Sequence, residues 1–124
     1  MILRLVDEAG IRFVEGPRGQ PLMAGVGDVI RVIEDCLSAG TRLAMLDQTN
    51  LTPGFFDLST GDAGAVLQKL RNYRVRLAVV CPRDSARFST RFGEALAEER
   101  GRLDFGVFET RDAARAWLAL PPLE

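Results

Sequence analysis

The sequence predicts a single α/β domain spanning residues 1–124: one mixed sheet of about five strands with four helices, in the order ββαβαβαβα. Three observations carry this. Short apolar runs alternate with stretches of helical periodicity ten or more residues long, a pattern that calls for parallel strands joined by helical crossovers. The first two runs are separated only by Asp-Glu-Ala-Gly, which places an antiparallel hairpin at one edge. At 124 residues, a split into two domains would leave halves too small to bury a core.

Ile2 to Val6 and Ile11 to Val14 are the hairpin strands, with Gly10 supplying the positive φ of the turn. Glu15 to Leu22 holds two Gly and two Pro and is a loop. Between Gly25 and Ser38 the apolar residues Val26, Val29, Ile30, Ile33, Cys36 and Leu37 fall at helical spacing, with Asp28 suited to the first turn and Gly40 to the C-terminal stop. Arg42 to Leu46 is a short apolar run typical of a strand covered on both faces. Pro53-Gly54 marks a turn. Ser59 to Asn72 is the second helix, opened by Ser59 and Asp62 in a variant capping box, with Ala63, Val66, Leu67 and Leu70 inward. Val75 to Val80 is a buried strand, and Pro82 to Ser85 a turn. Ala86 to Arg100 is the third helix, Leu103 to Phe108 the last strand, and Thr110 caps a fourth helix carrying Ala114, Trp117 and Leu118 before Pro121-Pro122 ends it.

Composition excludes several classes of function. The net charge is −1, so no global field draws the chain to nucleic acid or anionic lipid. No apolar run reaches the roughly 18 residues of a membrane span. Cys36 and Cys81 make no disulfide framework, and a reduced, cytoplasmic compartment is expected. Histidine is absent, which removes Ser-His-Asp and Cys-His catalysis and, with two cysteines, nearly every zinc site. No metal or cofactor is expected. Gly25-Val26-Gly27-Asp28 lacks the third glycine and the preceding strand of a dinucleotide site. Any acid-base work falls to Asp, Glu, Tyr, Lys or Cys.

The segments NLTPGFFDL, AGAVLQK and NYRVRLAVV resemble the bacterial domain-of-unknown-function 4180 family. The matching residues are Asn50, Leu51, Phe55 to Leu58, Ala63, Gly64, Leu67 to Lys69, Asn72 and Tyr73. The likeness is dense over about 35 residues and looser elsewhere. It departs after the second buried strand, where Cys81-Pro82-Arg83-Asp84 stands for the family's Gly-Asp-Phe-Ser, and again at Glu98-Glu99-Arg100. The family carries no agreed activity. The order of elements is also similar to STAS and SpoIIAA-like domains, some of which hold a phosphorylatable Ser or Thr at a helix start. Ser59 and Thr60 are the distant counterparts here.

Ligands on open α/β sheets bind at the carboxyl ends of the strands, which here carry Asp47 to Asn50, Cys81 to Ser85 and Glu109-Thr110. Asp47 and Asp84 form an acid-base pair there with Asn50 as a polar clamp, or all three are loop and capping residues. Lys69 and Tyr73, four apart, form a second acid-base candidate or an amphipathic edge covering apolar surface. Cys81, beside Arg83 and a helix start, is a reactive thiol or a buried one. Cys36 falls on an apolar stripe and belongs to the core.

Phe55 and Phe56 place at least one ring in the core and leave the other for a contact with a partner, alongside Asp57. Gln68 and Asn72 share an outer helix face and either anchor a partner or face water. Arg87 and Arg91 continue a row from Arg83, suited to an acidic partner or to a solvated face balanced by acids. The reading these residues support first is a non-catalytic, STAS-like interaction module that binds a protein partner, or itself, through Leu51 to Asp57 and the second and third helices. The alternative is a small metal-independent isomerase, dehydratase or cyclase, or a small-molecule-binding protein. Its pocket would lie between Asp47 to Asn50, Cys81 to Ser85 and the Lys69–Tyr73 flank.

Overall fold

The computed structural model describes residues 2–83 and 104–121. Five strands form one sheet in sequential order: β1 (Arg4–Glu8), β2 (Ile11–Glu15), β3 (Leu43–Asp47), β4 (Arg76–Val80) and β5 (Phe105–Phe108). β1 and β2 are antiparallel, and every other neighbouring pair is parallel. The described helices are α1 (Val29–Ala39), α2 (Pro53–Phe56), α3 (Thr60–Asn72) and α4 (Arg111–Leu118). The α/β class, the mixed sheet and its hairpin edge are those the sequence predicts.

One element differs from expectation and one is not among the described residues. The helix expected at Ala86 to Arg100 lies outside the described residues. Pro53-Gly54, read as a turn, opens the one-turn helix α2. Pro53 sits at its start, where the ring fixes a helical φ and the missing N–H costs nothing, and the Thr52 carbonyl accepts from Phe55 and Phe56 N–H at 3.0 and 3.4 Å. Four residues are too few for a periodic signal.

Right-handed crossovers between strands that are neighbours in both sequence and sheet put their helices on one face. α1 and α3 accordingly share a face. They pack Val29, Val32, Ile33, Cys36, Ala63, Val66, Leu67 and Leu70 against Val14, Ala44, Leu46, Leu77, Val79 and Phe105 of the sheet. Phe55 and Phe56 of α2 belong to the same core. Alternation along the strands turns Phe13, Met45, Ala78 and Val80 to the other face, where Ala114 and Leu118 of α4 cover them. Gly106 leaves room for the Phe108 ring of the same strand, 2.7 Å from where a Cβ would lie, with Trp117 of α4 next at 3.4 Å. The hairpin turn is tighter than Gly10 alone implies, because Ala9 also takes a positive φ, 51° beside 80° at Gly10.

The helix ends follow local chemistry. Asp28 accepts from the N–H groups of Ala24 and Gly25 at 2.7 and 3.2 Å as α1 begins, and Gly40, at φ 72°, ends it in the left-handed region. Ser59 Oγ accepts from Asp62 N–H at 3.1 Å, and Thr110 Oγ1 from Ala113 N–H at 3.1 Å. Among the described residues no helix is long and apolar enough to cross a membrane.

Candidate functional site

The parallel strands end together at the edge that carries Glu15, Asp47 and Val80, and antiparallel pairing brings the first residue of β1, Arg4, opposite Glu15. Met45, Asp47 and Val80 share the α4 face with Glu15; Met45 and Val80 are buried, while Asp47 and Glu15 are half-buried at the edge. At this edge lies a cleft of about 670 Å³. The buried residues Met45, Leu46 and Val80 lie at its base with the exposed Ile2 beside them, Gly16 and Pro17 form one wall, and Arg4, Glu8, Glu15, Arg18, Asp47 and Arg111 supply its charge.

Arg111 is the centre of this charge. It opens α4, and its guanidinium lies 5.7 Å above the Phe13 ring. Its Nε donates to Glu15 at 2.7 Å, while Nη1 and Nη2 each donate to Glu8 at 2.9 Å. Arg115, one turn on, donates to Glu8 at 2.9 Å. A cation in a helix's first turn is opposed by the helix dipole, so the two carboxylates also make Arg111 tolerable there. Hydrogen bonds from Arg111 and Arg115 hold the Glu8 carboxyl down at about 2, well below its ordinary 4.5. Glu8 and Glu15 in turn push the Arg111 guanidinium's pKa further up.

The mouth is held more loosely. Arg4 bonds Glu15 at 3.2 Å with 77% of its side chain exposed, and Arg18 stands 3.8 Å from Asp47 with 80% exposed. Asp47 turns one oxygen inward, accepting from Thr49 N–H and Oγ1 at 3.1 and 2.6 Å, and gives the other to Arg18.

Asn50 stands behind the cleft wall and is fully buried. Its Oδ1 accepts from Asp47 N–H at 2.8 Å, its Nδ2 donates to the carbonyls of Pro17 and Gln20 at 2.7 and 2.9 Å, and its own carbonyl accepts from Leu22 and Met23. It therefore pins the 16–23 loop to the end of β3 and has no amide group left for a ligand. The expectation of Asn50 as a ligand clamp is corrected on that ground: it positions the wall. The aromatic contact expected at Phe55 or Phe56 is corrected too, since both rings are buried, at 0% and 7% exposure.

The other expected residues do not converge on Asp47. α3 runs antiparallel to the strands, so Lys69 and Tyr73 lie about 20 Å along the molecule, at the amino edge. There the Tyr73 carbonyl accepts from the guanidinium of Arg42, the residue before β3. A pocket shared by Asp47 and the Lys69–Tyr73 flank is thereby ruled out. Gln68 and Asn72 are exposed on α3, Asp57 is exposed at the end of α2, and Ser59 is exposed as the N-cap before Thr60. Cys81 is buried next to the cleft floor, and burial, aided by the Asp47 charge, pushes its thiol up to about 11. Burial likewise raises Cys36 to about 12, where its Sγ faces the Leu43 carbonyl at 3.7 Å. Asp84, Arg87 and Arg91 lie outside the described residues. Among the described residues no three His, Cys, Asp or Glu side chains are grouped to hold a metal ion.

Sequence reasoning missed Glu8, Glu15, Arg111 and Arg115. The available signal was Arg4, Glu8 and Glu15 at same-face positions of the hairpin, together with two arginines one helical turn apart.

The fold and site define an α/β protein with a charge-balanced cleft at the carboxyl edge of its sheet. The family model described as a domain of unknown function (DUF4180) matches residues 8–118, and the chain belongs to that family. No curated protein and no solved structure matches it.

Proposed function

We propose that this protein is a non-catalytic, STAS-like regulatory module that binds a small zwitterionic ligand of amino-acid or dipeptide type in the carboxyl-edge cleft. The observation that carries this is three guanidinium groups and three carboxylates around one apolar floor. A simple anion would meet Glu8, Glu15 and Asp47, and a simple cation would meet Arg4, Arg18 and Arg111. A ligand with both charges opposes neither set. Arg4 and Arg18, loosely held at the mouth, suit its anionic end; Asp47 suits its ammonium; the exposed Ile2 and the edge of Val80 suit the short apolar stretch between. A cleft of about 670 Å³ is within the range of small-molecule sites.

Two groups argue for binding over catalysis. A base or nucleophile for neutral pH needs a pKa near 7. Arginine bonding takes Glu8 far below that value, and burial takes Cys81 far above it. Two free, buried thiols suit the reducing cytoplasm proposed as its compartment.

Titration calorimetry with amino acids and dipeptides, beside inorganic phosphate and simple amines, tests the proposal. A zwitterion is expected to bind, and Arg18→Ala to weaken it about tenfold while leaving the melting temperature unchanged, because Arg18 makes only one long ion pair. Binding of phosphate as tight as that of every zwitterion, or no binding by any zwitterion, overturns it.

A further inference from the structure

β1 is the outer strand on the hairpin side, and among the described residues no strand pairs with its far edge. Such edges invite pairing with another chain, and proteins usually blunt them with charge. The charges on β1 are Arg4, Asp7 and Glu8, and their order matters.

The register of any added strand follows from the hairpin. Ala9 and Gly10 form a two-residue turn with both φ values positive, so the flanking pair Glu8 and Ile11 is hydrogen-bonded. Alternation then directs the backbone N–H and C=O groups of Arg4, Val6 and Glu8 toward β2, and those of Leu5 and Asp7 outward. A second β1 laid antiparallel on this edge must match outward residues with outward residues. Asp7 opposite Asp7 is repulsive. Leu5 opposite Leu5 pairs only part of the strand and runs into Leu3, whose N–H is already bonded to Asp35 at 3.0 Å. Leu5 opposite Asp7 is the remaining register, and it aligns β1 along its whole length.

In that register Val6 meets Val6 on the two-fold axis, and Arg4 of each copy lies directly opposite Glu8 of the other, on the same face. The exposed Leu5 side chains become diagonal neighbours. Without ligand Arg4 can cross, being mostly exposed and held by a single 3.2 Å pair with Glu15, and it would add to a Glu8 carboxylate that already accepts from Arg111 and Arg115 of its own chain. Asp7 is already neutralised by Arg12 at 3.0 Å. We propose that the protein forms a two-fold dimer through β1, joining two sheets into one continuous sheet, with reciprocal Arg4–Glu8 pairs across the seam.

Sedimentation velocity over a range of concentrations, without ligand, reads the oligomeric state. The expected species approaches twice the 13.6 kDa chain mass as concentration rises. Arg4→Glu, which puts like charges opposite each other twice, is expected to weaken the dimer by about tenfold or more. Val6→Cys places two thiols in a non-hydrogen-bonded cross-strand pair, close enough for a disulfide, and is expected to give a covalent dimer under mild oxidation. Arg4→Glu added to Val6→Cys is expected to suppress that link. A wild-type monomer at every concentration overturns the proposal. So does a dimer that Arg4→Glu leaves unchanged and Val6→Cys does not trap, since its interface would lie elsewhere. Should Val6→Cys fail to fold, the wild type and Arg4→Glu decide between these outcomes.

Discussion

Asn50 shows how one side chain shapes the cleft without facing it. Its fully buried amide bonds one N–H and two carbonyls, and Gly16 leaves room for it: a Cβ there would lie 2.4 Å from Asn50 Oδ1. Shape and hydrogen-bond polarity are both specified, and the two are separable by mutation. Asn50→Asp keeps the shape but turns an oxygen toward the Pro17 and Gln20 carbonyls. It should cost on the order of 3 kcal/mol of stability near neutral pH, and less in acid, where a protonated carboxyl restores one donor. Gly16→Ala keeps every hydrogen-bonding group but forces Asn50 aside, and should cost about 1–3 kcal/mol at any pH. Denaturant melts at two pH values check both. An Asn50→Asp variant as stable as wild type at neutral pH would show that the amide is replaceable and that the loop is held by something else.

The element that joins the cleft to the fold is α4. At eight residues it is too short to be stable alone, so its placement depends on its ends and on the face it buries. At its start Arg111 and Arg115 bind Glu8, and Arg111 also binds Glu15. At its end Arg76 of β4 donates to the carbonyls of Trp117, Leu120 and Pro121 at 3.1, 2.8 and 3.1 Å, and lies over the Trp117 ring. The amino-terminal clamp depends on Glu8 being ionised. Because folding lowers its pKa from 4.5 to about 2, its contribution is complete above about 4.5 and is lost as pH falls through that interval. The stability difference between wild type and Glu8→Gln should therefore be largest at pH 5 and above and shrink steadily toward pH 2. Urea midpoints across that range check it, and a difference independent of pH would show that Glu8 acts through packing instead of charge.

For the whole molecule, what could be read from the sequence depends on how far apart the cooperating residues lie. The strands and the two long helices are periodic over four to thirteen residues, and their order alone implies a parallel sheet with α1 and α3 on one face. The cleft unites Glu8, Glu15, Asp47 and Arg111, about a hundred positions from first to last, through pairs that leave no periodic trace. Asp47 is legible because it ends a buried strand, whereas Arg111 is one of fifteen arginines and no local pattern singles it out. The two faces of the sheet are also unequally built. α1 buries Val29, Val32, Ile33 and Cys36, while α4 buries only Ala114 and Leu118 and relies on ion pairs at its amino end. Ion pairs that remain partly exposed add little and are screened by salt. Opening of α4 should therefore need less free energy than opening of α1. In native-state hydrogen exchange the α4 amides are expected to exchange well before those of α1, and faster still in high salt, while α1 shows little salt dependence. Leu118→Ala should widen that gap, by about 2–5 kcal/mol if its burial is what holds the helix down. Exchange of both helices at one common rate, unaffected by salt, would mean that the sheet and its two faces open as a single unit and that the cleft is as rigid as the core beneath it.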